Sequence, residues 1–148
     1  MICRPSMLGA MNLLQASLAG GAAFRDVDEL LADLDFAAAV RVLPSAPYSV
    51  AGVLAHLRLT LRLSLDIAAG RAGGWPEDLD LWPAAPTDEA AFSGLLLELR
   101  LLLAEAGALA ADPSAQAREV LTDLAVHDAY HWGQVALLRR MDGAVFGG

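Results

Sequence analysis

A chain of 148 residues fits one domain and can bury a substantial core; 56% of it is hydrophobic and only 6% aromatic. The net charge is −8 and the pI about 4.6. All ten basic residues are arginines scattered along the chain, which excludes the basic stripe that nucleic-acid phosphates require. The single cysteine, Cys3, cannot form an internal disulfide, so the expected compartment is the reducing cytoplasm.

In chain order, Met7, Leu8, Met11, Leu14 and Leu18 recur at helical spacing. They predict a first helix from about Ser6 to Leu18, stopped at Gly20-Gly21. The uncharged run after Arg4 loosely mimics a secretory signal, but Asn12, Gln15 and Ser17 interrupt it. Asp26, Asp28 and Glu29 open a shorter element reaching about Leu34, and a further turn covers Phe36 to Val42. The two prolines of Leu43 to Pro47 make a loop.

The second long helix starts at Ser49 as N-cap and runs to about Ala69, before Gly70. Leu54, Leu57, Leu61 and Leu65 form one apolar stripe on it; Val53, His56, Thr60, Leu63 and Ile67 form another. A helix apolar over that width is central to the fold. Arg71 to Pro86, with Gly73-Gly74, three prolines, Trp75 and Trp82, reads as a long irregular crossover. Thr87 is the expected cap of the third helix, whose buried face is Phe92, Leu95, Leu96, Leu99, Leu102, Leu103, Ala106 and Leu109. Glu98 and Arg100 within its most apolar stretch argue against a membrane span. Asp112 as N-cap and Pro113 at the first helical position would start the fourth helix, which ends near Met141 at Asp142-Gly143. No segment alternates like a strand. The expectation is an all-α single domain over residues 1–148: a four-helix bundle, up-down-down-up, with the long crossover between helices 2 and 3.

The chemistry lies in three histidines. Val120, Leu124, His127, His131, Gln134, Leu138 and Met141 step by fours and threes, as a seam facing a bundle interior does. His127 and His131, four apart on one helix face, can chelate one ion, and His56 is the only histidine left to complete the set. Three imidazoles leave positions for water or substrate, the pattern of a catalytic rather than a closed site. Zinc and nickel suit the donors, and iron or manganese are compatible. The plainer alternative is three buried histidines satisfied by carbonyls or hydroxyls. His127-Asp128-Ala129-Tyr130-His131 has zinc-protease spacing with Asp for Glu. Asp128, about 100° off the seam, instead reads as capping a partner or facing solvent. Asp123, one turn before His127, could orient that ring or be solvated. Gln134 could hold a nucleophile or fix a neighbouring helix. Trp75 and Trp82 could line a pocket mouth or anchor the crossover, and Arg139-Arg140 should face the carbonyl end of their own helix.

Pro47-Tyr48-Ser49-Val50-Ala51-Gly52-Val53-Leu54-Ala55-His56-Leu57 resembles the helix-2 signature of the DinB/YfiT-like superfamily. His127-Asp128-Ala129-Tyr130-His131-Trp132-Gly133-Gln134-Val135 resembles its helix-4 signature. Leu137 to Arg140 followed by Gly143, and the pairs Trp75-Pro76 and Trp82-Pro83, fit as well. Despite the name, this family is not the DNA polymerase. The resemblance spans nearly the whole chain. It implies a bundle that holds a divalent metal through His56, His127 and His131, often as a homodimer. Characterised relatives in the family include transferases and isomerases that use a low-molecular-weight thiol of the bacillithiol or mycothiol type. The expected activity is a thiol transferase, in which Gln134, one turn past His131 on the seam, would position the nucleophile. A metal-dependent hydrolase and a non-catalytic stress-response module that binds metal are the alternatives. Thr60, one turn past His56, leaves a further protein ligand in doubt. Small-molecule substrates are expected, and neither nucleic acid nor membrane.

Overall fold

The computed structural model describes residues 11–21 and 24–146. Among the described residues the chain is all-helical, with six helices and no strand. They are α1 (Leu13–Ala19), α2 (Val27–Leu31), α3 (Phe36–Val40), α4 (Val50–Ala68), α5 (Glu89–Ala111) and α6 (Ala115–Met141). The expected start of the first helix at Ser6 lies outside the described residues. No described helix is long and apolar enough to cross a membrane.

Each helix begins at a side chain that accepts from one of its free first-turn N–H groups. Asn12 and Gln15 form a reciprocal capping box on α1, and Asp26 and Asp35 cap the two short helices. Ser49 caps α4, accepting from the Gly52 N–H. Two expected boundaries move. Asp88, not Thr87, caps α5 by accepting from the Ala91 N–H. Asp112 ends α5 instead of starting α6, because Pro113 disfavours helix in the residue before it. Ser114 is the N-cap of α6. At the other end of α1, Gly20 has a φ of +88°, and a β-carbon there would lie 2.5 Å from the Arg25 carbonyl oxygen. Glycine is required on both counts.

The core sits between α4, α5 and α6. Leu54, Leu57, Leu61 and Leu65 of α4 meet Leu95, Leu99 and Leu102 of α5 and Leu121 of α6, all essentially without solvent exposure. α4 packs most extensively on α6 and then on α5, and α1 packs on α5 and α6. Arg58 reaches Glu98, and Arg62 reaches Glu98 and Glu105. α1 is tied to the last turns of α5, where Asn12 Nδ2 donates to Ala110 O and Gln15 Nε2 to Gly107 O. Arg139 does not serve its own helix end: it donates to the carbonyls of Leu30 and Ala32 at the end of α2. Those carbonyls have no partner further along their short helix. Arg140 lies over the ring of Phe146.

The buried stripe of α6 is rotated from the expected seam. Leu121, Leu124, Ala125, Asp128, His131, Trp132 and Val135 are buried, whereas Met141 is exposed. The seam from Val120 to Met141 lies along the rim of that stripe, so His127 is partly open and its neighbour Asp128 is covered.

Candidate metal centre

α4 and α6 bring the three imidazoles together. His56 Nε2 lies 3.2 Å from His127 Nε2 and 3.1 Å from His131 Nε2. His56 and His131 are buried, while the His127 side chain retains 35% exposure.

The other nitrogen of each ring decides the chemistry. His56 Nδ1 donates to Leu81 O at 2.6 Å, His127 Nδ1 to Asp128 Oδ1 at 3.0 Å, and His131 Nδ1 to Gln134 Oε1 at 2.8 Å. All three partners are acceptors, so each Nδ1 carries the proton. In the neutral rings every Nε2 then presents a lone pair, and the three lone pairs converge on one another. Without a shared positive charge this is repulsive; with one it is a ligand set. Burial pushes His56 and His131 below the ordinary imidazole range, against the raising effects of the Leu81 and Gln134 hydrogen bonds. Protonation is therefore the harder way to relieve the convergence.

The spacing also fits an ion. Nitrogens about 2.0–2.1 Å from a zinc ion lie about 3.3 Å apart at a tetrahedral angle and about 2.9 Å apart at a right angle. The two separations from His56 Nε2 fall between those limits, and the three ligand atoms all lie within 4.8 Å of one another. These three residues are the one group of potential protein ligands found together among the described residues.

The surroundings fix the rings. Trp82 stacks on His56 at 4.0 Å and 8°, and Tyr48 stacks on the far face of the indole at 4.2 Å and 5°. Tyr130 meets His131 edge-on at 5.2 Å. Trp82 thus anchors the crossover over the histidine cluster, whereas Trp75 lines a pocket of about 320 Å³ that opens beside His127. Thr60 directs its hydroxyl to the carbonyls of His56 and Leu57, so it offers the cluster nothing.

Asp128 overturns the expectation of a solvated or capping residue. It is fully buried, four residues before Trp132 and seven after Leu121 on the interior stripe. Burial raises its carboxyl to about 6, opposed by the hydrogen bond and charge of His127. Among the described residues its Oδ2 has no hydrogen-bond partner, and neither does the buried Nε1 of Trp132. Asp123, the other carboxylate one turn from His127, is exposed and makes no hydrogen bond to it. Gln134, predicted to hold a nucleophile, has its amide oxygen on His131 Nδ1.

Three partners of the cluster were not visible beforehand. The Leu81 carbonyl is backbone and has no sequence signal. Tyr48 belonged only to the helix-2 signature. Asp128 could have been found by phasing α6 on Leu121, Leu124, Ala125 and Val135 instead of on the histidines. No family model, curated protein or solved structure matches the chain.

Proposed function

We propose that the protein is a divalent-metal-dependent enzyme, and that His56, His127 and His131 hold the ion through Nε2. The observation that carries this reading is the set of three Nδ1 acceptors, which leaves three lone pairs aimed at one point. Buried acceptors without a donor are rare because each costs roughly 1–3 kcal/mol. Zinc or nickel is the ion proposed, with iron or manganese compatible with the same donors. The fold proposed is the up-down-down-up bundle. Support comes from Arg58–Glu98 with Arg62–Glu105, which run in the same order along α4 and α5, and from Asn12–Ala110 with Gln15–Gly107, which run in opposite orders along α1 and α5.

The reaction proposed is transfer of a low-molecular-weight thiol onto an electrophilic carbon, in keeping with the resemblance to DinB/YfiT-like proteins. A bound divalent ion would supply a thiolate at neutral pH. The sulfur–carbon bond then forms as the leaving group departs with its electron pair, and the thiol proton passes to solvent. Asp128, Gln134 and the Leu81 carbonyl hold the three rings in one tautomer and orientation, as outer partners of liganding histidines do. Trp82 and Tyr48 keep water from the face of His56.

The test is consumption of 2-aminoethanethiol, cysteine or bacillithiol, thiols that differ in charge, with monobromobimane by the metallated protein, against the same protein treated with chelator. The expected result is a rate above the uncatalysed one that vanishes with the metal. Fully metallated protein that turns over neither a thiol nor an ester would overturn the enzymatic reading; esters alone would point to a hydrolase. A non-catalytic reading is favoured by one observation: the crossover is tied to His56 through both Leu81 and Trp82. In that reading the ion is a staple, and chelation produces a large drop in melting temperature without any associated turnover.

A further inference from the structure

The pocket beside His127 has a one-sided chemistry. Ile67, Trp75, Val120 and Leu124 give it an apolar lining, and Ser64 adds a hydroxyl. Among the described residues its only charged lining side chain, apart from any charge on His127, is the exposed carboxylate of Asp123. The crossover that contributes Trp75 carries Glu77, Asp78 and Asp80, all exposed, and no basic residue between Ala72 and Pro86. Three arginines on the neighbouring stretches of chain are engaged elsewhere, Arg58 with Glu98, Arg62 with Glu98 and Glu105, and Arg71 with Asp66 and Glu105; exposed Arg118 of α6 lines a different pocket. His127 is also the one partly exposed ring of the three, and it is the ring that borders this pocket.

We propose that this pocket selects neutral or cationic, largely apolar ligands and disfavours anionic ones, with Asp123 as the residue that sets the preference. The proposal rests on the metal reading above and adds the substrate class. A carboxylate in an apolar pocket attracts a cation and repels an anion. An unscreened unit charge at contact distance in water is worth about a factor of five, less as salt is added. An indole beside it favours ammonium groups further. An arginine-lined pocket, as a polycarboxylate thiol would require, has the opposite design.

The experiment uses cobalt(II)-substituted protein, whose visible absorption reports a sulfur ligand. It is titrated with 2-aminoethanethiol, 2-mercaptoethanol and mercaptoacetate, in wild type and in Asp123→Asn. The ratio of affinities between the cationic and the anionic thiol is compared across the two proteins, so that intrinsic differences in thiol acidity cancel. Wild type is expected to favour the cationic over the anionic thiol more than Asp123→Asn does by up to about 25-fold at low salt, one factor of about five from attraction and one from repulsion, with the difference shrinking in high salt. Equal ratios in the two proteins, or mercaptoacetate bound more tightly by wild type than by the variant, would overturn the proposal and leave the metal reading standing. Protein that takes up no cobalt overturns both. Asp123 is exposed and makes no hydrogen bond to another described residue, so Asp123→Asn should fold as wild type does.

Discussion

The two ends of α4 solve different problems with the same neighbours. Toward its C-terminus, Leu61 and Leu65 meet leucines of α5 and α6 in an apolar layer without solvent exposure. Toward its N-terminus, His56 meets His127 and His131, and hydrogen bonds to the outer nitrogens leave the inner ones facing each other. The leucine end is complete as folded, whereas the histidine end brings together three ring nitrogens that could hold a cation. Stability and ligation should therefore be separable by mutation.

The sharpest break of this contrast is His56→Ala. It removes the only ligand from α4, so elemental analysis of the purified variant should show loss of stoichiometric metal, while circular dichroism retains the helical content. Retention of one ion per chain would remove His56 from the site. The converse change is Leu99→Ala, in the fully buried leucine layer. It should cost about 2–5 kcal/mol in denaturant unfolding, with metal stoichiometry in the folded fraction unchanged. Asp128→Asn probes the seam between the two regions. The amide can still accept from His127 but polarises it less, and metal affinity measured by competition with a chelator should fall about 10–100-fold.

The smallest effect is the pH dependence of metal-free stability. His56 and His131 titrate lower in the folded protein than when unfolded. The unfolded chain therefore takes up protons first below about pH 6.5, and stability is lost as the pH falls. Asp128 acts in the opposite sense. Its folded carboxyl titrates at about 6, above its unfolded value of 3.8, so its contribution is present at low pH and is lost as the pH rises through 6. Urea unfolding of metal-free Asp128→Asn should thus show a steeper loss of stability between pH 6 and pH 4 than wild type, by up to about 1.4 kcal/mol per pH unit. Parallel profiles would mean that the Asp128 carboxyl is not protonated in that range.

The long helices were legible because their signals are local: leucines at helical spacing, Ser49 before a long apolar run, Asp142-Gly143 after one. The meeting of His56 with His127 and His131 was legible because few other arrangements could satisfy three imidazoles on apolar faces. What the sequence hid was rotational phase. The histidines drew the seam of α6 onto themselves, although Leu121, Asp128, Trp132 and Val135 lie deeper in the interior. The start of α6 was displaced because Asp112-Pro113 reads equally as the beginning of one helix and the end of another. The two short helices between α1 and α4 were seen as brief elements, but that Arg139 would serve the carbonyls of α2 depends on packing across 109 residues of chain.

The bond from His56 to the carbonyl of Leu81 gives the crossover an unusual stake in the outcome. Surface connections ordinarily tolerate insertions and deletions. Here, sliding the crossover by a single residue would take that oxygen away from the imidazole and free the proton to migrate to the inner nitrogen, turning an acceptor into a donor. A length change between Gly73 and Pro83 would then silence the centre with all three histidines still in place.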